Sequence, residues 1–298
     1  MVATAGHSVK RPLPIESPLG IICGGGSLPF AVADAALRQG RAVFLLAIRG
    51  WADPACVAHY PHDWVALGQF GRFKRLANAA GCRDLVCIGT LVRPSLSALR
   101  FDWTTALLLP RLYRLFRGGD DHLLSGIGRI FEEHGFRMLG AHEIAPELLI
   151  PEGALAQRRP SGRDAADIAL GFALLDAIGP FDVGQAAVVA DNRVVAVEAA
   201  EGTDEMLTRI AELRRKGRLH APIGAGVLVK APKPSQDRRF DLPSIGLGTV
   251  ERVAAAGLAG IAVRTGGVLI TEPNAVAAAA EQAGIFVVGV PADPVRRS

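Results

Sequence analysis

The chain has 298 residues, half of them apolar, 6% aromatic and 21% charged, with a formal net charge of +4. That length exceeds the usual span of one hydrophobic core and predicts two domains, while no unbroken apolar run approaches the roughly 18 residues a membrane span needs. Four cysteines (Cys23, Cys56, Cys82 and Cys87) without a C-x-x-C pair indicate neither a zinc ribbon nor a disulfide framework. The mild basicity favours anionic partners such as nucleotides, phosphorylated lipids or an acidic membrane surface. No basic run, zinc-finger spacing or aromatic-basic motif points to nucleic acid.

Residues 1–18 hold three prolines and two basic residues but no apolar core of a signal peptide, predicting a disordered tail on a cytoplasmic protein. PLGIIC then reads as a strand, Gly24, Gly25, Gly26 and Ser27 as a turn, and Phe30 to Gln39 as a helix, with Pro29 suited to its first turn and Gly40 to its end. Strands at Ala42–Ile48 and Asp84–Gly89, separated by a helix around Arg72–Ala80, continue an alternation that predicts a Rossmann-like parallel α/β sheet. Asp102 to Phe136 reads as helices, and PEGALAQRRPSGR as the boundary between domains 19–150 and 151–298.

The second half restarts with a helix at Asp164–Ile178 and a hairpin turning at Asp191 and Asn192, whose short polar side chains tolerate positive φ. A helix at Asp204–Arg215, with Thr203 as N-cap, presents Met206, Leu207, Ile210 and Leu213 on one face. Strands at Gly226–Val229 and Gly260–Val263, a helix at Ser244–Ala256 and the closing GGVLIT, Ala-rich helix and GIFVVGV complete a mixed α/β domain. The expected architecture is α/β throughout, with a cleft between the two domains.

Chemistry concentrates in Gly224–Gly248, where Lys230, Lys233, Arg238, Arg239, Asp237 and Asp241 crowd around Pro232, Pro234 and Pro243. Lys and Arg neutralise phosphate oxygens, and a carboxylate among them suits a hard cation bridging to phosphate. The prolines pre-order such a loop. Gly24 to Gly26 before a helix N-terminus can hold an anion or simply form a tight turn. A dinucleotide fingerprint is absent: Pro29 stands at the third glycine, and the next strand ends in Ile48, Arg49 and Gly50 rather than an acid. Glu198, Glu201 and Asp204 either serve the helix dipole or offer carboxylates to a metal. TTALLLPRLYRLFR places leucines beside Arg111, Arg114 and Arg117, as a membrane-surface helix or a helix packed on its own domain would. His142 with Glu143 near the boundary is a further candidate for the cleft.

Several motifs together resemble the LpxI-type UDP-2,3-diacylglucosamine pyrophosphatases of lipid A biosynthesis. They are G-G-G-S-L-P at Gly24–Pro29, R-G-G-D-D at Arg117–Asp121, G-A-H-E at Gly140–Glu143, V-E-A-x-E-G-T-D at Val197–Asp204, K-A-P-K-P-x-Q-D-x-R-x-D-L-P-x-I-G at Lys230–Gly246, and A-G-L-A-G-I at Ala256–Ile261. The resemblance implies hydrolysis of the substrate pyrophosphate to UMP and 2,3-diacylglucosamine 1-phosphate (lipid X), with water attacking the α-phosphorus and Mg²⁺ or Mn²⁺ assisting. It makes Asp241 the catalytic acid, and the loop's own cations, Lys230, Lys233 and Arg239, are expected to neutralise charge developing on the phosphoryl group. Gly24, Gly25, Gly26, Ser27, Thr203, Lys230 and Gln236 are expected on the substrate, and Asp241, Asp237, Glu201 and Asp204 on the metal. The implied partners are the acylated UDP-sugar and lipid X, with room for peripheral contact with the inner membrane and for a homodimer. A nucleotide-sugar-binding regulatory module without turnover is the alternative, and an NAD-linked oxidoreductase lacks its ribose-binding acid.

Overall fold

The computed structural model describes residues 17–91, 100–117, 120–234 and 236–292, so the tail expected at 1–18 falls almost wholly outside the described residues. The first half contains β1 (Leu19–Cys23), α1 (Leu28–Arg38), β2 (Val43–Ile48), α2 (Pro54–Val57), β3 (His62–Val65), α3 (Phe70–Ala79), β4 (Asp84–Ile88), α4 (Trp103–Phe116), α5 (Asp120–Glu133), β5 (Arg137–Leu139) and α6 (Ala141–Ile144). Its five strands form a wholly parallel sheet in the order β3-β2-β1-β4-β5. Helices cover both faces, which is why LGIIC and VFLLAI are near-continuous apolar runs rather than alternating ones. Strand order reverses between β1 and β4, creating a switch point at their carboxyl ends.

The second half contains β6 (Gly153–Ala154), α7 (Gly162–Ile178), β7 (Ala186–Ala190), β8 (Arg193–Val197), α8 (Gly202–Arg215), β9 (Val227–Lys230), β10 (Ser244–Ile245), α9 (Leu247–Ala255), β11 (Gly260–Arg264), β12 (Leu269–Ile270), α10 (Pro273–Ala283) and β13 (Phe286–Val290). Its main sheet has the order β6-β13-β11-β9-β7-β8, with β13, β11 and β9 parallel and the outer strands antiparallel. The fold is thus α/β, with one large sheet parallel, the other mixed, and a small parallel pair of β10 and β12 beside them.

The hairpin turns at Asp191 and Asn192 as expected, with φ of 52° and 57°. Asp167, fully buried on α7, pins it by accepting from both backbone N–H groups at 3.1 and 2.6 Å. Other expectations change. α8 begins at Gly202 with Glu201 at the cap position, so Thr203 lies inside the first turn and its hydroxyl is released to donate to Glu198 at 2.8 Å. Ser244 belongs to a short strand beside β12, and α9 starts only after Gly246, because Pro243 feeds extended backbone into that pairing. The sequence reading missed β3, whose HDWV segment is polar because it sits at the sheet edge.

Asp84 opens β4 and is 8% exposed. Arg137 binds it at 2.8 and 2.9 Å, and Arg41 is a further donor. Burial raises its pKa, but the hydrogen bonds from Arg137 and Arg41 outweigh this and hold the carboxyl below its usual range. A depressed carboxylate contributes stability that is present above its unfolded pKa and lost as pH falls through the folded value. Asp84→Ala should therefore destabilise the fold by about 3 kcal/mol at neutral pH, with the gap from the parent closing in acid, as denaturant melts at both pH values would reveal. Equal melts at neutral pH would show that this buried network contributes nothing.

Candidate active site

Antiparallel pairing of β7 with β9 sets Ala186 opposite Lys230, so the entrance of β7 and the exit of β9 share one edge of the second sheet. Glu198, just past β8, reaches the same edge through its N–H to the Ala186 carbonyl at 2.9 Å. A Cβ on Gly184 would collide with the Glu198 backbone, so only glycine allows this approach. The described residues 231–234 and 236–243 follow β9 and fold back over the edge. Its N–H at Ala231 donates to the Gln185 carbonyl at 3.0 Å.

Asp241 lies at the centre of the network that results. Its Oδ2 accepts from Gln185 Nε2 at 3.0 Å and from Gln236 Nε2, while Gln236 Oε1 accepts from the Lys233 N–H at 3.0 Å. Lys233 Nζ is paired with Asp182, a residue in left-handed conformation. Lys230, 8% exposed, donates from Nζ to Thr203 Oγ1 at 3.0 Å and to the Ser244 carbonyl at 3.1 Å. Thr203 donates in turn to Glu198, whose other oxygen accepts from the Gln185 N–H at 3.0 Å. A buried cation is thus linked through one hydroxyl to a carboxylate.

The electrostatics follow from burial. Desolvation raises the pKa of Asp241 above the ordinary carboxylate range, opposed by Lys233, by Gln236, by Lys230 and by Gln185. Desolvation lowers that of Lys230, against the pull of Glu198, Asp204 and Asp241. Both charges are therefore costly as they stand, a condition under which a polar ligand gains most from binding.

The loop is anchored to the first half. Phe240 enters the apolar cluster of Phe73, Phe131 and Phe136, and a Cβ on Gly128 would collide with its ring. Arg239 stacks on Phe240 at 5.2 Å and bonds Glu132 of α5 at 2.6 Å, and Leu242 packs on the core beneath β1 and β4. Asp241 consequently lies near Cys87 at the exit of β4, where burial, with the Asp241 charge adding, pushes the thiol up to about 11. This places the carboxylate over the switch point of the parallel sheet, a common ligand position in such folds.

Other expected residues fall differently. Gly24 and Gly25 use their N–H groups within the protein, to Ile88 and Thr90 carbonyls at 2.9 Å, and a Cβ on Gly24 would meet the Gly89 backbone at 2.9 Å. These glycines allow two loops to touch, while Gly26 (φ 85°) and Ser27 face solvent at the start of α1. Asp237 is bound by Arg239 at 3.0 and 2.8 Å, Glu201 by Arg209 at 2.8 Å, and Asp204 by Arg252 at 3.3 Å. Three of the four carboxylates expected on a metal are thus engaged with arginines, and Arg239 with two carboxylates. His142 lies half-buried against Gly140, near the Arg238 backbone, with Nδ1 unpartnered. Gln185 and Asp182 were missed because they sit in an unremarkable turn before β7. The Gly184–Gln185 pair was the available signal.

Among the described residues no group of three His, Cys, Asp or Glu could cage a metal. Asp241 remains, with the buried Gln185 Oε1 lacking any partner on the same amide that contacts it. Mg²⁺ keeps several waters and needs only one or two carboxylates when substrate phosphates supply the rest. That donor set fits an ion shared with a diphosphate.

Beside the loop lies an apolar cavity of about 180 Å³ between the parallel sheet and helices α3, α4 and α5. Phe240, adjacent to Asp241, forms part of its wall, with Phe70, Leu108, Leu112, Ile127 and Phe131.

Comparison with known proteins shows the family. The model of the LpxI N-terminal domain matches residues 18–148, and that of the LpxI C-terminal domain matches residues 151–288. The chain belongs to the LpxI family. A curated LpxI relative, the UDP-2,3-diacylglucosamine pyrophosphatase LpxI of Caulobacter vibrioides, is 44% identical over 280 residues, covering 94% of this chain and 99% of that one. A solved structure, the Thermus thermophilus UDP-glucose 4-epimerase complex with NAD, aligns over 93% of this chain and 87% of its own at 16% identity. Its TM-score of 0.28 is too low to relate it to the LpxI fold.

Proposed function

We propose that this chain hydrolyses the pyrophosphate bond of UDP-2,3-diacylglucosamine, releasing UMP and 2,3-diacylglucosamine 1-phosphate for lipid A biosynthesis. The observation that carries the reading is Asp241, desolvated between Lys230 and Lys233 and placed beside an apolar cavity, in a chain 44% identical to a relative named for this activity.

A diphosphate over the Lys230–Asp241 edge would meet both lysines, which favour the charge gathering on its oxygens. Asp241 orients the attacking water and takes its proton as the new oxygen–phosphorus bond forms at the α-phosphorus. The bridging bond breaks, and the sugar 1-phosphate departs with the electron pair. Gln185 and Gln236 hold the Asp241 carboxylate in position, and Thr203 with Glu198 holds Lys230. Asp241 and the unpartnered Gln185 amide oxygen would hold Mg²⁺ or Mn²⁺, which would supply charge neutralisation on the diphosphate. Gly26 and Ser27 offer phosphate or sugar contact across a cleft between domains 19–150 and 151–298. The cavity walled by Phe240 takes acyl chain, each buried CH₂ contributing about 0.8 kcal/mol.

The test follows UMP release from the diacylated UDP-sugar with Mg²⁺ and with EDTA. Metal-dependent release is expected. Binding of the nucleotide sugar without turnover in either condition would instead favour a regulatory module.

A further inference from the structure

Helix α4 has two apolar sides, and among the described residues only one is used by the fold. Thr105, Leu108 and Leu112 face inward and line the cavity, and Leu115 is buried beneath them. On the outward side Trp103 is 81% exposed, Leu107 70% and Tyr113 56%, with Phe101 also exposed just before the helix. Pro110, Arg114 and Arg117 are exposed between them, Arg117 lying over the Tyr113 ring at 5.8 Å. Arg111, at the flank, is held by Glu133 of α5.

A helix that merely covered its own domain would put polar groups outward. Here the exposed side combines Trp and Tyr, the residues that settle at the membrane–water interface, with an aliphatic side chain and arginines that suit anionic headgroups. The chain's net positive charge adds to that attraction. Among the described residues no helix is long and apolar enough to cross a membrane, so contact through this helix would be at the surface. The inward side of α4 walls the cavity assigned to acyl chains, about one helix diameter (roughly 10 Å) from the outward side.

We infer that the outward side of α4, through Trp103, Leu107, Tyr113 and Arg114, docks on an anionic lipid bilayer. Docking there would bring the cavity behind α4 close to the surface in which a diacylated substrate resides. That purpose rests on the acyl-chain reading of the cavity, but the contact itself does not.

Sedimentation of the full chain with phosphatidylglycerol vesicles and with phosphatidylcholine vesicles tests the inference. The parent should bind the anionic vesicles and release as salt rises. Leu107→Ser with Trp103→Ser, and separately Arg114→Glu, should each weaken binding roughly tenfold with unchanged melting temperature and unchanged turnover of detergent-dispersed substrate. Parent protein that ignores anionic vesicles would overturn the inference, as would variants that bind like the parent. Self-association abolished by these substitutions with vesicle binding intact would reassign the surface to a second copy of the chain. Vesicle binding by a protein that releases no UMP would uphold docking and sink the hydrolase reading. UMP release without vesicle binding would do the reverse.

Discussion

Asp241→Asn should reduce UMP release by roughly 10²- to 10⁴-fold while leaving the melting temperature equal to that of the parent or higher. The amide can still accept from Gln185 and Gln236 through its oxygen, so packing and geometry persist. What disappears is a charge that burial disfavours. The folded-state pKa of Asp241 lies above its unfolded value, so its contribution to stability is fully present below the unfolded pKa and lost as pH rises through the folded one. Asparagine does not ionise and escapes that loss, so the variant's relative stability should improve between mildly acidic and neutral pH. The parent's activity should fall in acid at a pH above the ordinary carboxylate range, since the carboxylate must be ionised to accept a proton. Undiminished turnover in the variant would remove Asp241 from the mechanism, and a collapsed melting temperature would make it structural.

Phe240→Ala should cost about 3 kcal/mol of stability and lower kcat/KM for the diacylated substrate by roughly 10²-fold. The ring is the chief apolar anchor of the loop on the first half, packing against Gly128 and the Phe131 cluster. Asp241 is the next residue, so release of the anchor displaces the carboxylate from the switch point. The same substitution removes part of the cavity wall, so the loss should be greater for an acylated substrate than for one stripped of its chains. Comparing the two substrates separates these effects: equal losses indicate displacement of Asp241 alone. A variant with parental stability and kinetics would show that the loop holds its place without the ring.

Much of the fold was legible because its signals are local. Alternating apolar runs and helical periodicity predict a parallel α/β sheet, and the Asp191–Asn192 turn needs only residues that accept positive φ. The segment Lys230–Gly246 stands out by charge and proline content alone. Less legible was the division of labour within it. Asp237 and Asp241 are two carboxylates of one charged loop in sequence, yet Arg239 reaches Glu132, 107 residues away, and draws Asp237 with it, leaving Asp241 for the lysines. Gln185 is 56 residues from Asp241 and joins it only because β7 runs antiparallel to β9. TTALLLPRLYRLFR similarly fits a buried or a membrane-facing helix until the packing of α5 decides which leucines are covered.

The sequence by itself determined the two α/β halves, the position of the charged loop and the family, because propensity, periodicity and motif spacing are carried by neighbouring residues. The tertiary structure alone decided which carboxylate is left without an arginine, which lysine is buried and which side of α4 meets solvent. Desolvation and pairing depend on groups brought together from distant parts of the chain, and nothing in local spacing encodes them.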